Sequence, residues 1–340
     1  MGSRPWDSPL ATGVRHQDTA ATPHHERQTM PLARILVSAL LSAVLLVAAQ
    51  IAYAEPLRVM SFNIWVGGES GQQPIEQTAA VIKAARADVV GLQESHGRER
   101  DGVRPDSAAV LAKQLGWNYF DQGDDDTGVI SRYKIVGSTP KKWGVEFKLP
   151  TGERFWLFNA HFAHAPYQPY QLLKIPYAEA PFLDTAEEAV KSARDARESQ
   201  VKSLLAEIEA VRSEGKPIFI TGDFNEPPAL DWTQAAHAAG LHPAVVCWPA
   251  TATLQEAGFV DAYRSLYTDP VKHPGFTWTV LTAEDDPTDH HDRIDFVFAT
   301  RGNVELKTAE IIGERSERAD IVVTPYPSDH RAVVVEAELK

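Results

Sequence analysis

Ile218-Phe219-Ile220-Thr221-Gly222-Asp223-Phe224-Asn225 is an apolar run that ends in a carboxylate and an amide. Four to six continuous apolar residues without helical spacing read as a strand buried on both faces. A buried strand does not tolerate an unpaired charge, because taking a carboxylate out of water costs several kcal/mol, on the order of the stability of a domain. Asp223 therefore sits at a solvated strand end or meets something cationic.

The same pattern recurs along the chain. Asn63 lies in Met60-Ser61-Phe62-Asn63-Ile64. Glu94 ends Val89-Val90-Gly91-Leu92-Gln93-Glu94, and His161 ends Phe155-Trp156-Leu157-Phe158-Asn159-Ala160-His161. Asp295 interrupts Arg293-Ile294-Asp295-Phe296-Val297-Phe298, and Asp329-His330 opens a final strand over Ala332–Leu339. Further strands are expected at Gly128–Ser131, within Ile135–Leu149, at Phe276–Val280 and at Val304–Ile312. Helical spacing predicts helices over Ile75–Arg86, Ser107–Leu115 and Thr185–Val211, with Leu254–Tyr267 partly helical. Locally paired strands with helices between them predict an α/β sandwich of two sheets flanked by helices.

The polar residues suit one chemistry. Mg²⁺ takes hard oxygen ligands, usually one or two carboxylates with waters and substrate phosphate. Glu94, Asp223 and Asp329 supply carboxylates, and Asn63 and Asn225 supply amides. His161 and His330 can donate to phosphate oxygens or move protons, and Asp295 can hold a histidine in one tautomer. No Ser or Cys nucleophile motif is present, so direct attack by water is the economical mechanism.

In order along the chain, Met60–Ile64, Leu92–Glu94, Asn159-Ala160-His161, Thr221–Asn225, Thr277-Trp278, Arg293–Phe296 and Ser328-Asp329-His330 resemble the motifs of the endonuclease/exonuclease/phosphatase superfamily. Its members include pancreatic-type deoxyribonucleases, abasic-site endonucleases, neutral sphingomyelinases and inositol polyphosphate 5-phosphatases. The resemblance spans Leu57 to Leu339. It implies a four-layered α/β/β/α sandwich of two packed, mainly antiparallel sheets with the site at one rim. It also implies roles. Glu94 is the main Mg²⁺ ligand, assisted by Asn63 and Asp329, with Mn²⁺ as an alternative ion. Asp223 handles the attacking water with Asn225 beside it, and His161 and the Asp295–His330 pair act on the phosphate.

Weaker signals are read against bland alternatives. Arg197 and Gln200 resemble an Arg-x-x-Gln helix of the family, against a solvated helix face. Arg132 is a phosphate contact or a structural ion pair. Asp124-Asp125-Asp126 lacks the alternating ligands and glycine of a calcium loop and reads as a solvated turn. His164 shares a metal with His161 or is simply an exposed loop residue, His290-His291 line the cleft rim or carry no role, and Trp278 is core near the site. The Ala163–Phe182 loop is long for a connection between core elements, so it is expected to select substrate. Tyr167, Tyr170 and Tyr177 would form its aromatic wall.

The 340 residues carry a formal charge of −13. Residues 1–54 are net +1, leaving −14 for the rest, so there is no general attraction for nucleic acid or anionic lipid. Residues 1–29 are polar and aperiodic and read as disordered, or as lying upstream of the true start. Residues 30–54 combine Arg34, the uncharged apolar run Ile35–Ala49 and the small-x-small site Ala52-Tyr53-Ala54, the three parts of a secretory signal peptide. The run is shorter than the roughly 20 residues a membrane anchor needs. One enzyme domain is expected over residues 55–340, secreted or periplasmic, with no stable membrane insertion after signal cleavage and no obligate protein partner. The single cysteine, Cys247, permits no intrachain disulfide and reads as a small buried hydrophobe.

The function expected is Mg²⁺-dependent hydrolysis of a phosphoester, phosphodiesters favoured, on a small molecule or a nucleic acid. An extracellular nuclease would want a Lys/Arg-lined groove, and only scattered pairs such as Lys141-Lys142 occur. A binding protein that kept the fold and lost the chemistry would have gaps in the acidic and histidine set, and every position is filled.

Overall fold

A computed structural model describes residues 56–340. The signal peptide expected over residues 30–54 and the leader before it lie outside the described residues. The strands are β1 (Leu57–Asn63), β2 (Val89–Gln93), β3 (Asn118–Asp121), β4 (Gly128–Ser131), β5 (Lys134–Ser138), β6 (Gly144–Lys148), β7 (Arg154–His161), β8 (Ile218–Asp223), β9 (Phe259–Asp261), β10 (Asp295–Thr300), β11 (Val304–Gly313), β12 (Ile321–Val322) and β13 (Ala332–Leu339). The helices are α1 (Ile75–Ala84), α2 (Ser107–Leu115), α3 (Gln168–Leu173), α4 (Ala186–Arg212), α5 (Gln234–Ala238), α6 (Pro249–Glu256) and α7 (Ala262–Leu266). None of the described helices is long and apolar enough to cross a membrane.

Two sheets result, of seven strands in the order β12-β11-β13-β1-β2-β4-β3 and of six in the order β5-β6-β7-β8-β10-β9. Both are mixed. β1 and β2, β7 and β8, and β11 and β12 pair in parallel, and the remaining neighbours are antiparallel.

Alternation along the strands makes the layers. Val59 of β1, Val89 of β2, Phe219 of β8 and Val297 of β10 share one cluster between the sheets. Their neighbours Met60 and Val90 point the other way, onto Val81 and Ile82 of α1 and Leu111 of α2. Ile218 and Ile220 likewise meet Val201, Leu204 and Ile208 of α4. Each central strand is thus buried on both faces, which is why the sequence shows continuous apolar runs instead of strict alternation. At about 1.5–3 kcal/mol for each large apolar side chain removed from water, these three clusters dominate the stability.

α4 carries its own start signal. Thr185 accepts from the Glu188 backbone N–H, and the Glu188 side chain returns to the Thr185 backbone N–H, a reciprocal capping box. Just under one rim the sheets touch closely. Asn159 Nδ2 donates to Leu92 O and Gln122 Oε1, both at 2.9 Å, while its Oδ1 accepts from Gln93 Nε2 at 2.6 Å and Thr221 Oγ1 at 3.0 Å. A Cβ on Gly91 would sit 2.0 Å from Thr221 Oγ1, so only glycine permits this approach.

Two expectations fail locally. Phe276–Val280 is not a strand: Trp278 alone makes isolated bridges, to Asp292 and His330. Its neighbours' hydrogen bonds go instead to loop ends, as when Thr277 Oγ1 accepts from the Ile294 and Asp295 N–H groups. Cys247 is exposed rather than buried. It lies between buried Val246 and Trp248, so the extended chain turns every second side chain outward.

Candidate active site

Topology converges the strand ends. Asn63 and Glu94 come at the C-terminal ends of the parallel pair β1 and β2, and His161 and Asp223 end the parallel pair β7 and β8, directly in register. β10 runs antiparallel to β8, which sets its first residue, Asp295, beside Asp223. β13 runs antiparallel to β1, so Asp329 and His330, just before it, arrive at the same rim. Glu94, His161, Asp223, Asn225, Asp329 and His330 line one open cleft of about 380 Å³, with Asn63 and Asp295 bonded behind them.

Asp223 is the hub. It is buried, and its Oδ2 accepts from Asn63 Nδ2 at 3.0 Å and lies 3.6 Å from His161 Nε2 and 3.7 Å from His330 Nε2. Its Oδ1 accepts from the Asn225 N–H at 2.8 Å. Burial and then the nearby Asp295 charge push its carboxyl up to about 6, against the pull of both imidazoles. Asn63 Nδ2 also donates to Glu94 Oε1 at 3.0 Å, while Asn63 Oδ1 accepts from the Trp65 N–H at 2.9 Å. Asn63 therefore orients two carboxylates, and its amide oxygen keeps only its second lone pair for a cation.

Glu94 and Asn225 both have positive φ, at +50° and +47°, where the chain turns sharply off its strand. Trp65 and Val66 share that conformation, which is rare for a β-branched residue. The turn is held to Glu94, whose Oε2 accepts from the Val66 N–H at 2.8 Å and whose backbone carbonyl accepts from the Gly67 N–H at 2.6 Å. Non-glycine residues in this region cost about 1–3 kcal/mol and cluster at functional sites.

The two histidines are oriented by carboxylates from behind. His330 Nδ1 donates to Asp295 Oδ2 at 2.9 Å. Burial opposes the charge on His330, but Asp295, Asp223 and Asp329 raise it well above the usual imidazole range. His161 Nδ1 donates to Asp126 Oδ2 at 2.7 Å. Burial again opposes, and the Asp126 hydrogen bond with the charges of Asp223, Asp126 and Glu94 lifts it to about 9. Asn225 Nδ2 lies 3.1 Å from His161 Nε2 while it donates to Phe162 O at 3.1 Å. Charge favours the protonated ring, whereas this amide contact favours a lone pair. Nδ1–H is common to both states, so Nε2 is the atom that gains or loses the proton.

The donor set of the cleft suits a divalent cation. Glu94, Asp126, Asp223 and Asp329 face a cleft whose only lining guanidinium is Arg104, among the described residues, with Asp295 behind His330. Asp329 Oδ1 is buried with no hydrogen-bond partner. Burial and then Glu94 raise the Asp329 carboxyl, offset in part by His330. An orphaned carboxylate oxygen beside a second carboxylate suits a hard cation. Asp223, Asp295 and His330 also lie within metal-ligand range of one another. The Nδ1–H bond to Asp295 already uses that histidine as a donor, so the trio is better described as a hydrogen-bonded relay.

Several weaker readings are corrected. Asp126 is not a solvated turn residue, since it is the carboxylate behind His161. Asp124 builds that turn by accepting from the Asp126 and Thr127 N–H groups. Sequence spacing gave no signal for it, because the contact crosses from one sheet to the other. Arg197 is buried and off any solvated face: it donates to Ala163 O, Gln168 Oε1 and Pro166 O, and Gln200 Oε1 accepts from the Ala163 N–H. The Arg-x-x-Gln pair thus clamps the loop that follows His161. Arg132 pairs with Asp88 at 2.9 Å, away from the cleft.

The aromatic wall is smaller than expected. Tyr167 and Tyr170 are buried, with hydroxyls on Asp292 and Asp289, and pack on Trp278. Only Tyr177, with His164, Trp65 and Trp278, lines the cleft. His290 and His291 face Asp292 and Thr282 behind it instead of its rim.

The sequence profile of the Endonuclease/Exonuclease/phosphatase family matches residues 60–330. The chain belongs to this family. It is an enzyme, a metal-dependent phosphoesterase. A relative in Caenorhabditis elegans, described as uncharacterized, is 30% identical over 303 residues, covering 82% of this chain and 90% of its own. Among solved structures, an endonuclease/exonuclease/phosphatase from Beutenbergia cavernae superposes with a TM-score of 0.53 at 20% identity, covering 84% of this chain and 72% of that one. The human Nocturnin catalytic domain with bound sulfate gives 0.49 at 16% identity, covering 84% and 95%. At 20% identity the Beutenbergia cavernae structure speaks for the fold alone.

Proposed function

We propose that this enzyme is an exported, Mg²⁺-dependent hydrolase of phosphate esters, phosphodiesters foremost, acting by direct attack of water. The observation that carries the reading is Asp223 Oδ2 lying 3.6 and 3.7 Å from the Nε2 atoms of His161 and His330, beside the carboxylates of Glu94 and Asp329. Export rests on Arg34, the apolar run Ile35–Ala49 and Ala52-Tyr53-Ala54.

Glu94 and Asp329 would hold the cation, with Asn63 fixing the Glu94 carboxylate; the bound ion would polarise phosphate oxygens and offset charge developing on them. Asp223, with its carboxyl near neutrality, accepts a proton from the attacking water. The new P–O bond forms as the ester P–O bond breaks, and one of the two imidazoles gives its Nε2 proton to the departing oxygen. Asn225 and the other imidazole hold the non-bridging oxygens. Among the described residues Arg104 is the sole exposed cation lining the cleft, which supports a compact phosphoester over a long nucleic acid.

The test is a panel of bis-p-nitrophenyl phosphate, p-nitrophenyl phosphate, plasmid DNA, sphingomyelin and inositol phosphates, each with Mg²⁺, Mn²⁺ or Ca²⁺. Diester turnover with Mg²⁺ that vanishes in Asp223→Ala supports the reading. Full activity in excess EDTA, or preference for plasmid DNA over every small diester, overturns it.

A further inference from the structure

Behind the active-site wall, His242, His290 and Asp292 converge from two loops. His242 Nδ1 lies 3.2 Å from His290 Nε2 and 3.7 Å from Asp292 Oδ1, and His290 Nε2 lies 3.8 Å from Asp292 Oδ2. We propose that these three side chains form a second metal site, for one transition-metal cation of the zinc type, distinct from the hard-cation site of the cleft.

Distances come first. Ligands 2.0–2.1 Å from a tetrahedral ion are separated by about 3.3 Å. The His242–His290 separation of 3.2 Å matches that edge, and one donor atom from each of the three residues lies within 4.8 Å of the others, so small side-chain rotations would close the set. Two imidazole nitrogens and one carboxylate oxygen are a donor set for zinc-like ions, whereas Mg²⁺ wants oxygen alone.

Charge comes second. Asp292 is 1% exposed, and both its side-chain hydrogen bonds come from neutral donors: Tyr167 OH at 2.7 Å and Trp232 Nε1 at 2.8 Å. A buried carboxylate without a cation is costly. Without a cation, burial pushes the Asp292 carboxyl well above its usual range, toward the protonated form, and a bound ion would favour the carboxylate. Burial, then His290 beside His242 and His291 beside His290, hold both rings below the usual range. The two neutral donors on Asp292 fix its carboxylate as outer-shell groups do around metal ligands.

Place comes third. His242 lies in irregular chain between α5 and α6, stacked on Trp232 with centroids 4.5 Å apart, and no strand pairing ties this stretch down. An ion would pin it to the segment that leads into Asp295. Through Tyr167 and Trp278, it would also brace the wall beside His330. The His290 side chain is 14% exposed, which gives the ion access and a solvent-facing position for water.

The experiment counts metal. The full chain is stripped with chelator, dialysed against Zn²⁺ with excess Mg²⁺, and bound zinc is measured by mass spectrometry; Co²⁺ loading is followed by its visible ligand-field bands. The expected result is one zinc per chain in wild type and in Glu94→Gln/Asp329→Asn, which disarms the cleft. In His290→Gln and His242→Gln the Kd should rise about 100-fold or more, the upper figure for loss of an outer-shell group. If His242→Gln fails to fold, the variant at the more exposed His290 and the cobalt bands of wild type still decide. No zinc in wild type, leaving only a His–His hydrogen bond, would overturn the site. So would zinc lost with Glu94 and Asp329, or retained at full affinity without His290.

Discussion

Asp126, at the tip of the loop between β3 and β4, holds the Nδ1–H of His161 at 2.7 Å from across the sandwich. This contact joins the seven-stranded sheet's loop to the end of a strand in the six-stranded sheet. It sets the tautomer of His161 and aims Nε2 at the cleft.

Asp126→Asn should therefore lower kcat/KM by about 10- to 100-fold, the usual cost of losing a histidine's orienting carboxylate. The sign of the pH effect is fixed. His161 is held at about 9 in the fold, above its ordinary 6.5, so the imidazolium contributes stability that is complete below pH 6.5 and lost as pH rises through 9. The variant should shift the alkaline limb of the kcat/KM profile toward acid and flatten stability across that window. Thermal melts and initial rates from pH 6 to 10 check both, and an unmoved limb would remove Asp126 from the mechanism.

Glu94→Gln can keep only one of the two hydrogen bonds that Asn63 Nδ2 and the Val66 N–H give to Oε1 and Oε2, and it removes a charge. The Mg²⁺ concentration for half-maximal activity should rise at least about tenfold, while the melting temperature stays within a few degrees. Titrating Mg²⁺ against rate measures this; an unchanged requirement would move the cation elsewhere.

Arg293 is fully buried between Asp231 and Asp261, bidentate to each, with contacts of 2.8–3.0 Å. Asp231→Ala leaves that buried guanidinium with Asp261 alone, its Nε–H unpaired, and also removes a partner of Arg264. Urea unfolding should show a loss of about 3–5 kcal/mol. A loss under 1 kcal/mol would mean that the network relaxes freely.

The tyrosines of the 163–182 loop should separate cleanly. Tyr177→Ala should change the ranking of substrates with little effect on melting. Tyr170→Ala should cost about 3–5 kcal/mol, as buried aromatic truncations do. If both variants leave the substrate ranking unchanged, the loop does not select substrate.

The sequence alone determined the layers and the chemistry. Continuous apolar runs such as Ile218–Thr221 can only be strands covered on both faces, and a carboxylate, amide or histidine at the end of each run marks a common polar rim. Period, run length and residue type are local properties, so Ser107–Leu115 and Gly128–Ser131 are legible to the residue. What tertiary structure alone decided is who stands behind whom. Asp126 behind His161, Arg197 across the 163–168 loop and Asp292 beside His242 are contacts between segments 29 to 50 residues apart. No periodicity encodes such pairs: they depend on strand order and on the direction in which each strand enters its sheet. Burial reversed readings for the same reason. Tyr167, Tyr170 and Arg197 look like surface residues by type, and Cys247 looks like core, until the fold sets which side of each loop faces in.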